Sequence, residues 1–231
     1  LAHYDEARTQ LGQALDLARS MGLAGTEDDC LRDLGLIAYH QGAYATARCY
    51  YEQALAIDQA IGDRRGESAT LVRLGAVSRE LGDSVTALAY YEQALAIDRA
   101  TGDRDDEADG LRGIGMIAYD RGDYPAARVA YTESLTLERA TGDREGQAAC
   151  LAALGMVARV LGDFDAAQEA LAQALVINQE ISDRCHEAAV RPDLALLCSQ
   201  RGKHQAAYEH AQKALELARA LGARYVEATA L

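Results

Sequence analysis

A phrase of about fifteen residues recurs along the chain and constrains its fold more than any other feature. Residues 50–64 read YYEQALAIDQAIGDR and residues 90–104 read YYEQALAIDRATGDR, so the two stretches differ at two positions and lie forty residues apart. The same period spaces further Leu-Gly pairs and Gly-Asp pairs. A unit of this size cannot bury its own apolar face, and periods of about 20–50 residues are therefore typical of solenoids.

Each unit divides into two helices, which we name helix A and helix B. In helix A of the first unit, Leu31, Leu34 and Ala38 follow one another at helical spacing. Gly42 is expected to end that helix in the left-handed conformation, and an aspartate follows most of the equivalent glycines, where it can cap the next helix. Leucines and small residues at fixed phases let the helices approach closely. These structural residues are Leu34, Gly35, Ala47, Leu74, Gly75, Ala87, Gly115, Ala127, Leu154, Gly155 and Ala167.

The repeat pattern predicts one all-α domain over residues 1–231. Its five units are expected at residues 23–62, 63–102, 103–142, 143–182 and 183–222. Residues 1–22 read as a helix B without its helix A, and residues 223–231 as the start of a further helix A. The first residue is not Met and neither end has a polar cap, so we expect a piece excised from a longer protein.

The composition disfavours several classes of partner. The chain has 36 acidic and 23 basic residues, a formal net charge of −13, which repels nucleic acids and anionic membranes. No apolar run approaches the ~18 residues of a membrane span. The five cysteines form no C-x-x-C pair and are expected to act as small apolar residues in a reducing cytoplasm, with Cys185 in a loop.

No catalytic or metal-binding pattern is visible in the sequence. The five histidines lack metal-ligand spacing, and the phosphate-binding glycine motifs are absent. The adjacent Cys185 and His186 do not make a dyad, because catalysis needs spatial rather than sequential adjacency. The sequence therefore predicts no enzyme activity, no cofactor and no metal.

The repeat resembles the tetratricopeptide repeat in its pattern of Leu31, Leu34-Gly35, Ala38, Ala47, Tyr51 and Ala54. The family's aromatic residue is missing at Ala38, and leucine replaces its first tryptophan. The forty-residue unit resembles the long repeats of bacterial LuxR-type and SARP-type regulators built on signal-transduction ATPases, and those of animal spindle-orientation adaptors. This resemblance implies a right-handed α-solenoid whose A helices line a concave groove.

By the same resemblance, ten residues are expected to face this groove. They combine arginines with tyrosines and apolar side chains, which suits an extended or helical peptide with acidic and apolar residues. The ten residues are Arg32, Leu36, Tyr39, Arg73, Arg79, Arg112, Met116, Tyr119, Met156 and Arg159. The alternative is that the arginines pair across the groove with Asp29, Asp33, Glu80, Asp109 and Asp120. Exposed pairs of this kind contribute only about 0–1 kcal/mol and need no functional cause.

The fifth unit departs from the pattern, because Pro192 falls inside its helix A. Proline removes a backbone donor and clashes with the preceding turn. We therefore expect this helix to bend or to begin late, near Arg191. Two causes remain open: decay of the repeat, or a hinge or partner contact.

Two function hypotheses follow from the sequence and the resemblance. The first is a scaffold or sensor module that binds a peptide or protein in the groove and regulates an attached ATPase or transcription-regulator domain. The second is self-assembly, through the uncapped ends and a ridge of Tyr50, Tyr51, Tyr90, Tyr91 and Tyr131.

Overall fold

The computed structural model describes residues 2–222, with side chains from Glu6 onward, and residues 2–222 form eleven α-helices. The helices are α1 Ala2–Met21, α2 Ala24–His40, α3 Tyr44–Ile61, α4 Arg64–Glu80, α5 Ser84–Thr101, α6 Arg104–Asp120, α7 Tyr124–Thr141, α8 Arg144–Val160, α9 Phe164–Glu180, α10 Arg184–Gln200 and α11 His204–Leu221. Short turns join consecutive helices, and α2 packs with α3, α4 with α5, α8 with α9 and α10 with α11 as antiparallel pairs. The predicted all-α array of helix pairs is confirmed. The expected helix over residues 223–231 lies outside the described residues.

The turns between helices follow the predicted chemistry. Gly42 and Gly62 have φ angles of 73° and 76°, in the left-handed region that favours glycine. The side chain of Asp63 accepts a hydrogen bond of 2.9 Å from the amide of Gly66, which caps the start of α4. Ser182 takes the glycine position of one turn with a φ of 60°. The predicted glycine stops and aspartate caps are confirmed.

The chain divides into two compact units, residues 1–117 and residues 118–231. In the first unit the pair α2 and α3 packs through Tyr51, whose ring lies against Gly35. A Cβ at Gly35 would stand 2.5 Å from Cε1 of that ring, so glycine permits the close approach. Tyr91 fills the same place beside Gly75 in the next pair, and Ala47 and Ala87 are fully buried at the helix crossings.

The pair α8 and α9 in the second unit has an aliphatic residue in the same packing position. Leu171 lies where the first unit has tyrosines, and a Cβ at Gly155 would stand 2.6 Å from its Cγ. Leu171 belongs to a core cluster with Leu135, Leu151 and Leu194, and Leu154 packs against it. One core therefore runs through α7 to α10.

The expected tyrosine ridge is wrong in three of its five members. Tyr51, Tyr91 and Tyr131 are 1 %, 2 % and 3 % exposed, because they supply the core residue that packs between helices. Tyr50 and Tyr90 are half-buried. These five side chains therefore form no exposed surface for self-assembly, and association through the chain ends stays a prediction.

Helix α10 begins at Arg184 and continues through Pro192 to Gln200. The expected late start near Arg191 is wrong, because Asp183 caps the helix by accepting a hydrogen bond of 2.9 Å from the amide of His186. A bend at Pro192 stays a prediction.

Cys185 lies in the first turn of α10 rather than in a loop, which corrects the sequence-based expectation. Cys185 and Cys49 are exposed, whereas Cys30 and Cys150 are buried as small apolar residues. None of the helices among residues 2–222 is long and apolar enough to cross a membrane.

Candidate binding surface on the A helices

The ten predicted groove residues all lie on the first helix of a pair, namely α2, α4, α6 or α8. We call this set the helix-A face: Arg32, Leu36, Tyr39, Arg73, Arg79, Arg112, Met116, Tyr119, Met156 and Arg159. Every one of these side chains is half-buried. The stem of each residue therefore packs against neighbouring helices while part of it stays in contact with solvent.

Arg32 is held by the protein itself. Its Nη2 lies 2.7 Å from Oδ2 of Asp28 and 2.8 Å from Oδ1 of Asp29, and its Nη1 lies 4.0 Å from Oδ1 of Asp58. Both Asp28 and Asp58 are buried. Arg32 therefore neutralises a buried acidic pair, a role that the sequence did not predict.

Two further arginines pair with acidic residues of their own helix. Arg112 lies 2.5 Å from Asp109, and Arg79 lies 3.1 Å from Glu80. Asp109 and Glu80 were among the expected partners, and each of these two pairs lies along a single helix. Partly exposed pairs contribute about 0–1 kcal/mol, so a ligand carboxylate could replace the partner at little cost.

Arg73 and Arg159 differ from the other three arginines. The Nε atom of each is buried and has no hydrogen-bond partner among the described residues. Arg73 also hydrogen-bonds the hydroxyl of Tyr51; burial raises the pKa of that phenol, and the nearby guanidinium opposes the shift. An unpaired buried donor is costly. Arg159 also lies close enough to Asp193 to oppose the rise that burial causes in the pKa of that carboxyl.

The two tyrosines of the helix-A face have matching environments eighty residues apart. Tyr39 packs edge to face on Tyr44 with ring centroids 5.5 Å apart, and Tyr119 packs on Tyr124 at 5.4 Å. Burial raises the pKa of both Tyr39 and Tyr119, so both hydroxyls stay protonated at neutral pH and can donate hydrogen bonds.

Beneath Arg32 lies a buried acidic pair that sequence reasoning missed. Burial raises the pKa of Asp28 to about 7, although Arg32 acts in the opposite direction. Burial also raises the pKa of Asp58, which accepts a hydrogen bond of 2.8 Å from the hydroxyl of Thr70. The signal for this pair was Asp28 itself, an aspartate thirty residues before Asp58 at a position where the other repeats have serine or alanine.

The family model described as "Tetratricopeptide repeat" matches the chain over residues 29–100, 66–140, 106–180 and 147–220. This family is typically non-catalytic. No curated protein sequence matches the chain.

Several solved structures are similar in fold. BtubC from P. vanneervenii is 19 % identical with a TM-score of 0.78, over 95 % of this chain and 92 % of that protein. A Rap conjugation gene regulator of the plasmid pLS20, in complex with the Phr* peptide, is 15 % identical with a TM-score of 0.80, over 92 % of this chain and 59 % of that one.

A third similar structure is a signal transduction ATPase with numerous domains that carries a tetratricopeptide repeat sensor, from Pyrococcus horikoshii. It is 16 % identical with a TM-score of 0.77, over 97 % of this chain and 33 % of that protein. Identities this low show the fold alone. Together with the model that matches residues 29–220, the repeated helix pairs establish that the chain belongs to the tetratricopeptide repeat family of protein-interaction modules.

Proposed function

We propose that the chain is the sensor module of a larger regulator and that it binds a peptide along the helix-A face. The observation that supports this proposal is made once in each unit: the Nε atom of Arg73 in the first unit, and that of Arg159 in the second, is buried and has no hydrogen-bond partner among the described residues. Each needs an acceptor, and a carboxylate of a bound peptide is the acceptor that a guanidinium binds best. The peptide therefore carries acidic side chains.

Apolar side chains of the same face define the rest of the ligand. Leu36 and Met116 are half-buried in the first unit, and Met156 is half-buried in the second. Methionine adapts its shape to different partners, and arginine and tyrosine are frequent in binding hot spots. The ligand thus combines acidic residues with aliphatic or aromatic ones.

The similar structures support a regulatory role. The Rap regulator was solved with a peptide, and the archaeal ATPase carries its tetratricopeptide repeats as a sensor. In the mechanism that we propose, the bound peptide changes the packing of successive helix pairs. That change biases an attached ATPase or transcription-regulator domain, in proportion to the ligand's preference for one packing over the other.

A peptide-display screen tests the proposal with three proteins: the wild type, the double variant Arg73→Ala/Arg159→Ala, and a matched control. The control is Arg48→Ala/Arg128→Ala, because these exposed arginines lie on the B helices α3 and α7, one in each unit. We expect the wild type and the control to select the same acidic and apolar peptides. The double variant should bind them about tenfold more weakly or less well still, as at hot-spot residues.

Two results would overturn the proposal. If the double variant still enriches the same peptides, the binding surface does not include Arg73 and Arg159. A wild-type protein that enriches no peptide would exclude peptide recognition altogether. Circular dichroism of all three proteins shows whether the substitutions leave the helices intact.

A further inference from the structure

Three side chains with metal-ligand chemistry converge at one corner of the second unit. Glu145 lies in the first turn of α8, Asp183 caps α10, and His186 lies in the first turn of α10. One candidate ligand atom from each residue lies within 4.8 Å of the other two. Nδ1 of His186 is 2.5 Å from Oδ2 of Asp183. The imidazole and one carboxylate are thus already in contact.

Asn178, near the end of α9, provides an independent observation at the same corner. Its side chain is 1 % exposed, and neither Oδ1 nor Nδ2 has a hydrogen-bond partner among the described residues. A buried amide without partners costs free energy and is rare in folded proteins. Its backbone carbonyl accepts a hydrogen bond of 2.8 Å from the amide of Asp183, which places Asn178 directly beside the start of α10.

The forty-residue register explains why Asn178 lacks a partner. Three repeats earlier the equivalent residue is Asp58, whose neighbours Asp28, Arg32 and Thr70 provide polar contacts. The residues that correspond to these three neighbours are Ala148, Ala152 and Val190. Asn178 is therefore polar, as Asp58 is, but the three residues that correspond to the polar neighbours of Asp58 are apolar.

The register also shows which way the Asn178 side chain faces. Residues equivalent to His186 are Gly66 and Gly146. A Cβ at Gly66 would contact Oδ1 of Asp58, and a Cβ at Gly146 would contact the carboxylate of Glu138. Asp58 and Glu138 occupy the position of Asn178 in their own repeats. In those repeats the polar group at this position points to the residue that corresponds to His186.

The corresponding corner of the first unit contains a built-in cation. Arg65, two repeats before Glu145, places its Nε 3.1 Å from Asp103 and 3.5 Å from Asp106. Those two aspartates correspond to Asp183 and His186. In the second unit Glu145 replaces the arginine, so this corner lacks the arginine cation that the first unit has.

We propose that this corner binds a divalent transition-metal ion of the Zn²⁺ class. The ligands are the carboxylates of Glu145 and Asp183 and a ring nitrogen of His186, with the amide oxygen of Asn178 as the fourth donor. An imidazole among oxygen donors suits Zn²⁺, whereas Mg²⁺ and Ca²⁺ favour oxygen ligands throughout. Metal binding would tie α8, α9 and α10 together at one point.

Calorimetric titration of the full chain with Zn²⁺ alone tests this site, with Mg²⁺ as the comparison ion. We expect saturable binding of one Zn²⁺ per chain and no comparable binding of Mg²⁺. His186→Ala and Glu145→Gln should each weaken zinc binding about tenfold or more. The control is His204→Ala, another exposed histidine in the first turn of a helix, and it should leave the affinity unchanged.

Asn178→Leu separates a ligand from a merely structural residue, because the proposal predicts opposite effects on two readouts. The metal-free variant should melt at a higher temperature than the wild type, since it no longer buries an unpaired amide, while its zinc affinity should fall. Absence of saturable zinc binding in the wild type, or binding that persists in His186→Ala, would overturn the proposal. The titration involves no peptide, so its failure leaves the peptide-binding proposal intact.

Discussion

At the scale of single residues, the close contact between Gly35 and Tyr51 gives a direct test of the packing. A Cβ at residue 35 would stand 2.5 Å from the Tyr51 ring, which is almost completely buried and cannot move outward. We expect Gly35→Ala to lower the free energy of unfolding by about 1–3 kcal/mol, despite the better helix propensity of alanine. Urea denaturation followed by circular dichroism measures this change.

Gly12 is the matched control for this substitution. It lies inside α1, and a Cβ there would meet nothing within 4 Å. Gly12→Ala should therefore raise the free energy of unfolding by up to about 1 kcal/mol. Equal responses at the two glycines would contradict the tight packing described for Gly35.

The buried pair of Asp28 and Asp58 makes stability depend on pH. Burial raises the folded-state pKa of Asp28 to about 7, above the value of about 3.9 expected in the unfolded chain. A raised carboxyl pKa contributes stability that is complete below the unfolded value and is lost as pH rises through about 7. The free energy of unfolding should therefore fall between pH 5 and pH 8.

Asp28→Asn isolates this contribution, because asparagine has a similar shape and does not titrate. Urea denaturation of the variant at pH 5 and pH 8 should show a smaller fall in the free energy of unfolding than the wild type shows. A fall of the same size in both proteins would mean that other groups cause the pH dependence. Asp98, whose pKa burial raises to about 6, is the next group to substitute.

The partners of individual side chains were the part that the sequence predicted least. The sequence assigned Arg32 to the helix-A face, but its guanidinium turns to Asp28, because burying two carboxylates without a cation is costly. The i,i+4 spacing of Asp28 and Arg32 is compatible with an ion pair, but it does not show that Asp28 is buried near Asp58. Alignment of the repeats would have shown part of such contacts, since Arg65 and Glu145 occupy one phase with opposite charges.

At the scale of helices, Pro192 is the clearest departure from the repeat. It stands in the middle of α10, where its ring removes one backbone hydrogen bond and crowds the preceding turn. Pro192→Ala should stabilise the second unit by up to about 3 kcal/mol, as measured by thermal or urea unfolding.

Pro125 is the control for the Pro192 substitution. It lies in the first turn of α7, where proline is tolerated because its missing amide hydrogen has no helical partner. Pro125→Ala should change the free energy of unfolding by less than about 1 kcal/mol. A destabilised Pro192→Ala variant would show that the proline supports a bend or contact that the fold needs.

Helix positions and turns were predictable because they depend on local chemistry. Glycine and aspartate recur between helices, and their conformations and hydrogen bonds repeat with them, as in the cap that Asp83 provides to the amide of Thr86. The start of α10 was the exception. Pro192 suggested a start near Arg191, but α10 is capped by Asp183, eight residues before Arg191. Because this cap stabilises the first turn, Pro192 does not determine where the helix begins.

At the scale of the whole molecule, each repeat contains positions where the same type of residue recurs and positions where the residue varies. Small residues at constant positions, such as Gly75 and Gly155, and the large side chains packed against them, Tyr91 and Leu171, build the core of each unit. Variable positions differ between repeats, and most residues of the two candidate sites lie at such positions, whereas Asp183 belongs to the recurring aspartate caps.

The proposed peptide surface depends on Arg73 and Arg159, which lie at positions whose residues differ between repeats. The resemblance to the repeat family assigned both arginines to the A helices, but it did not predict which arginines have a buried Nε atom without a partner.

Hydrogen exchange of the complex with a peptide from the display screen tests the central claim, which is that a peptide binds along the A helices. We predict that the peptide slows amide exchange in α2, α4, α6 and α8 and leaves α3, α5, α7 and α9 almost unchanged. Protection confined to the second helix of each pair would contradict the account, and so would a bound peptide that protects neither set.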